Sequence, residues 1–161
     1  MKLRIALAQV NPTVGDLAAN AALVRENFKS AQEAGAHIVV FPEMVLTGYP
    51  VEDLALRPSF QIASQNALAE LAKSLTGKSV AIVGYLDQVD GAPQNMVAVI
   101  SDGVVSARYA KCHLPNYGVF DEFRNFVPGD KTLVVRIHGV DVGIAICEDL
   151  WIDGGITSQL A

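Results

Sequence analysis

Apolar positions along this chain come in short runs broken by polar turns, and their period switches between two and about 3.6 residues. From Lys2 to Val10 the large apolar residues Leu3, Ile5 and Leu7 share one parity and small or mixed residues take the other, which predicts a central strand. Asn11-Pro12-Thr13-Val14-Gly15-Asp16 is a turn with Asp16 placed to cap a helix. Leu17, Ala21, Val24, Phe28 and Ala31 then follow helical spacing up to Gly35, with Arg25, Glu26 and Lys29 on the opposite side. His37 to Phe41 is a short run of buried-strand type. The opening is therefore strand, helix, strand, a right-handed crossover unit.

After a loop from Pro42 to Pro58, Ser59 is placed to cap a second helix with Phe60, Ala63, Ala67, Leu71 and Leu75 on one stripe and Gly77 at its end. Strands are expected at Val80 to Leu86, Asn95 to Ile100 and Val104 to Tyr109, with Ser101-Asp102-Gly103 as a tight hairpin turn. Ala110 to Asp130 is a polar-aromatic loop of a length usually reserved for function. Thr132 to Ile137 and Val140 to Ile146 form a last hairpin around His138-Gly139. Beyond Gly154-Gly155, Ile156 to Ala161 reads as a helix just beginning. A sheet of this kind needs such a helix to cover it, so the expectation is the N-terminal portion of a longer α/β protein.

Composition narrows the class. Of 161 residues, 51% are hydrophobic and 18% charged, which places the chain among globular proteins. The net charge is −5 and the lysines and arginines are scattered singly, so neither a nucleic-acid nor a membrane surface is expected. No apolar run reaches transmembrane length. Met1-Lys2-Leu3-Arg4 is basic, but the run behind it contains Gln9 and stops at Asn11-Pro12 without a small-residue cleavage pattern. Two cysteines, Cys112 and Cys147, are too few for a disulfide framework or an all-cysteine zinc site. A cytoplasmic protein with reduced thiols is expected.

Three stretches carry chemistry. Val142-Gly-Ile-Ala-Ile-Cys147-Glu148-Asp149 brings a thiol to the end of an apolar run. Phe41-Pro42-Glu43 does the same for a carboxylate, and Tyr109-Ala110-Lys111 for an ammonium. Each alone reads more simply as a buried thiol, a solvated acid and a surface lysine. Together, at strand ends where α/β sheets bind ligands, they complement one another. The carboxylate can take the thiol proton, while the lysine can stabilise an oxyanion and lower the thiol pKa. Cys112 reads as a bystander and His113 as a residue that orders its loop. His37 and His138 read as structural. Glu148 and Asp149 have a plain alternative as caps of the turn after the strand.

Phe41-Pro42-Glu43, Lys111-Cys112-His113-Leu114 and Ile146-Cys147-Glu148-Asp149 resemble the Glu, Lys and Cys motifs of the nitrilase superfamily of carbon–nitrogen hydrolases. Leu46 to Leu54, Leu56 to Phe60, His113 to Glu122 and Cys147 to Trp151 resemble one branch, the glutaminase domain of glutamine-dependent NAD synthetases. The resemblance implies an α-β-β-α sandwich, here incomplete. It implies Cys147 as nucleophile, Glu43 as general base, Lys111 as oxyanion stabiliser together with the N–H after Cys147, Glu122 as a supporting acid, and Tyr117 and Glu148 in glutamine recognition. No cofactor is implied for this segment. ATP and magnesium belong to a synthetase domain whose Ser-Gly-Gly-x-Asp-Ser loop this sequence lacks. The implied partners are glutamine, that synthetase domain and further copies of the parent chain. The alternatives are a stand-alone amidohydrolase acting on a small amide, which the Tyr49 to Phe60 match argues against, and a non-catalytic remnant.

Overall fold

The computed structural model describes residues 2–160. Five strands form one sheet in the order β1 (Ile5–Leu7), β2 (Ile38–Val40), β3 (Val80–Val89), β4 (Ala92–Ser101), β5 (Val104–Ala110). The first three run parallel, and β3, β4 and β5 form an antiparallel meander. Helices α1 (Leu17–Glu33) and α2 (Pro58–Ser74) cover one face. A two-stranded sheet, β6 (Leu133–Ile137) and β7 (Val140–Ile144), covers part of the other. The layers are helix, sheet, sheet.

Strand alternation builds these layers. Val39, Ala81 and Ala98 point toward α1 and α2, where they meet Val24, Phe28, Leu68 and Leu71. Their neighbours Ile38, Ile82, Val97 and Val99 point the other way, onto Ile137, Ile144 and Ile146. A sheet buried on both faces has to be apolar at both parities, which is why these strands read as continuous apolar runs. Asp16 caps α1 as expected, its carboxylate accepting from the Ala19 N–H at 3.0 Å. The turns at Asp102-Gly103 and His138-Gly139 have φ values of 46° and 81°, and 48° and 78°, the paired positive angles that tight hairpins require.

Several expectations are corrected. The strand within Lys2–Val10 is only three residues long and lies at the edge of the five-stranded sheet, not at its centre. Its small residues Ala6, Ala8 and Val10 pack on the helical core, whereas Ile5 and Leu7 are 51% and 67% exposed. Helix α2 starts at Pro58, which is pre-set for a first helical position, and Ser59 is inside it. Its buried stripe is Gln61, Ser64, Leu68, Leu71 and Ala72, and it is capped at Leu75. β3 and β4 extend to a turn at Asp90-Gly91 that the polar sequence around it concealed. The 110–130 loop contains a short helix, α3 (Glu122–Asn125). Near the C-terminus Ile156–Gln159 forms a 3₁₀ turn, and Ala161 of the expected helix lies outside the described residues.

Candidate active site

Three strand ends meet at one edge of the layers. β2 delivers Glu43 through the turn that follows Phe41-Pro42, and β5 delivers Lys111 directly. β7 stops at Ile144, and an extended Ile146 leads into Cys147, which opens a 3₁₀ turn (Cys147–Leu150) with φ of 44°. A non-glycine residue in this left-handed region is uncommon. It lifts the thiol out of the strand direction, and Cys147 is exposed while Ile146 and Glu148 on either side are buried.

Lys111 is the centre of the cluster. Its side chain is fully buried, and Nζ donates to Glu43 Oε1 at 2.7 Å and to Glu122 Oε1 at 3.0 Å, with Glu122 Oε2 at 2.9 Å. Asn95 Nδ2 also donates to Glu43 Oε1 at 2.7 Å. Both donors converge on one oxygen, and the Cys147 thiol lies beside the same carboxylate. The Tyr49 hydroxyl donates to Glu122 Oε1 at 3.0 Å. Glu43, Lys111, Glu122 and Cys147 are thus brought together as expected.

Although Cys147 is exposed, its sulfur is partly desolvated by its surroundings, and this, followed by the Glu43 charge, holds the thiol above its ordinary pKa. Lys111 does pull the Cys147 thiol pKa down, as expected, but it is outweighed. The resting Cys147 side chain is therefore a protonated thiol beside the Glu43 carboxylate. Burial alone would pull the Lys111 ammonium down, but Glu43 and Glu122 together hold it above its usual value. Burial pushes the Glu122 carboxyl upward against the pull of Lys111.

The Carbon-nitrogen hydrolase family model matches residues 4–158. The chain belongs to the carbon–nitrogen hydrolases. Over 151 residues it is 44% identical to the glutamine-dependent NAD(+) synthetase of Thermotoga maritima, covering 93% of this chain and 26% of that protein. The solved glutamine-dependent NAD+ synthetase of Acinetobacter baumannii superposes with a TM-score of 0.91 at 37% identity, over 98% of this chain and 30% of that one. An amidase from Nesterenkonia sp. shares the fold, with a TM-score of 0.79 at 23% identity over 94% of this chain and 58% of that one. The chain thus spans about a quarter of the length of the curated relatives it matches.

In this carbon–nitrogen hydrolase chain Tyr117 and Glu148 are joined directly, the phenol donating to Glu148 Oε2 at 2.8 Å. The bond raises the Tyr117 phenol above its usual range. Both residues line a cleft of about 910 Å³ with Cys112, His113, Phe123 and Ile152, and Glu43, Lys111, Glu122 and Cys147 are not among its lining residues. His113 orders its loop as expected, its Nε2 accepting from the Ile156 N–H at 3.2 Å. Cys112 turns its sulfur toward the Ala110 and Lys131 carbonyls, away from the cluster. No group of three or more His, Cys, Asp or Glu side chains among the described residues is arranged to hold a metal ion, and no described helix is long and apolar enough to cross a membrane.

Sequence reasoning missed Asn95 and Tyr49 as partners of the two acids, and it gave Asp149 only a local role. Asn95 had a signal: it is a polar residue directly before the apolar run Met96-Val97-Ala98-Val99-Ile100. Tyr49 had none, because its acceptor lies 73 residues away.

Proposed function

We propose that this chain is part of the glutaminase of a glutamine-dependent NAD synthetase, in which Cys147 hydrolyses the side-chain amide of glutamine. The observation that carries the reading is the buried Lys111 ammonium bonded at 2.7 Å to Glu43, with the Cys147 thiol beside that carboxylate.

The steps follow from these groups. Cys147 Sγ attacks the amide carbon as Glu43 accepts the thiol proton. The carbonyl oxygen becomes an oxyanion held by Lys111 and by the Glu148 N–H, which at the start of a helical turn has no partner inside it. Glu43 returns the proton to the nitrogen, the C–N bond breaks and ammonia leaves a glutamyl thioester. Water then attacks with Glu43 again as base, and glutamate departs with the thiol restored. Tyr117 and Glu148 recognise the amino-acid end of glutamine. Ammonia passes to a synthetase domain outside these residues, where ATP and magnesium are used to amidate the dinucleotide. The parent protein self-associates and resides in the cytoplasm.

A diazoketone analogue of glutamine tests this. Cys147 should be labelled much faster than Cys112, and Glu43→Gln should slow that labelling by about a hundredfold or more, as for loss of a general base. Equal, slow labelling of both thiols would overturn the reading.

A further inference from the structure

Lys111 and Cys147 follow strands of different sheets, and 35 residues of chain lie between them. The contact nearest both residues is made by the carboxylate of Asp149, which is fully buried. Its Oδ1 accepts from the backbone N–H groups of Cys112 at 3.1 Å and His113 at 2.8 Å. Its Oδ2 accepts from the Tyr109 hydroxyl at 2.7 Å and the Ile146 N–H at 3.0 Å. Three of these donors flank Lys111 on both sides, and the fourth directly precedes Cys147. No lysine or arginine is among its partners in the described residues. The buried charge is held by four dipoles, which use the acceptor capacity of both oxygens.

We propose that Asp149 is a positioning residue that sets the distance between the oxyanion-stabilising ammonium and the nucleophilic thiol; this rests on the glutaminase reading above. A cap for the turn needs only the Ile146 bond. The other three reach across to the second sheet and have no part in capping. They register the Lys111 segment against the Cys147 turn, so that Glu43, which is bonded to Lys111, stays in reach of the thiol proton. Asparagine is nearly isosteric, but it would turn an N–H₂ toward donors and lose acceptor sites on that side. The two segments would then part. Misplacement on the scale of an ångström is sufficient to lower rates by about a hundredfold.

The test follows the labelling rates of Cys147 and Cys112 by mass spectrometry, using the glutamine diazoketone across pH, for the unsubstituted chain, Asp149→Asn, Tyr109→Phe and Glu43→Gln. In the unsubstituted chain, Cys147 should react ahead of Cys112 well below the thiol pKa, because Glu43 supplies the base. In Asp149→Asn the rate should fall by about a hundredfold, and the pH profile should become that of a simple thiol, parallel to Cys112. Tyr109→Phe removes one bond of four and should slow labelling less, in the same direction; it decides the matter if Asp149→Asn does not fold. A lowered melting temperature with an unchanged Cys147 rate and pH profile would overturn the proposal, leaving Asp149 as a purely structural acid. If Glu43→Gln is slow while folded Asp149→Asn and Tyr109→Phe are not, the proposal falls and the glutaminase reading stands. If the unsubstituted chain labels Cys147 no faster than Cys112, both fall.

Discussion

At the scale of single residues, the site is governed by one cation between two acids. Replacing Lys111 with methionine keeps the bulk but leaves Glu43 and Glu122 facing each other without the ammonium. Breaking a buried ion pair in this way costs about 3–5 kcal/mol, measurable by urea unfolding at neutral pH, and acidification should recover part of the loss as the acids take up protons. Glu122 makes its own prediction. Its folded pKa is raised above the unfolded glutamate value of about 4.3. Its contribution is therefore fully present below that value and declines as pH rises through the folded pKa. The stability of the unsubstituted chain minus that of Glu122→Gln should fall with rising pH across that window, and a flat difference in urea titrations would contradict the assignment. Glu43, Lys111 and Cys147 were legible because each is a reactive residue closing an apolar run. The net rise of the thiol pKa was not legible, since it depends on burial and on distances that no motif encodes.

At the scale of elements, the turn bearing Glu43 is seated by a glycine. A Cβ added at Gly84 of β3 would lie 2.3 Å from the Met44 nitrogen and 2.8 Å from the Pro42 oxygen. The Leu46 N–H also donates to the Gly84 carbonyl at 3.1 Å. Gly84→Ala must therefore push the 42–46 backbone off the sheet, at a cost of about 1–3 kcal/mol as for an overpacked core. It should also slow Cys147 labelling through displacement of Glu43, whereas Asp16→Ala should lower stability by about 1 kcal/mol through loss of a helix cap and leave labelling intact. Parallel denaturation and labelling of the two variants separates these effects. Most elements were readable from period alone. Two of those misread share a cause. β1 and α2 have small residues on their buried faces, Ala6 in one, Ser64 and Ala72 in the other, so the larger side chains pointed the pattern the wrong way.

At the scale of the whole molecule, the helix–sheet–sheet layering leaves the face of β1 that carries Ile5 and Leu7 open. An edge strand with uncovered apolar residues invites pairing with another chain. Leu7→Thr should change stability by no more than about 0.5 kcal/mol, as for an exposed position, and should reduce self-association of this chain in sedimentation velocity. The layer order was legible because α and β periods alternate along the chain; which strands stand at the margins was not, since that is decided by pairing between distant segments. The left-handed backbone at Cys147 reverses the usual ranking of small residues, so that glycine there should exceed alanine in stability by about 1 kcal/mol. Selection for folding alone would erase the thiol in favour of glycine. In a saturation library of this position, abundance should peak at glycine and thiol chemistry at cysteine, so a lineage that lost the reaction would leave its record at this one position before the core around it changed.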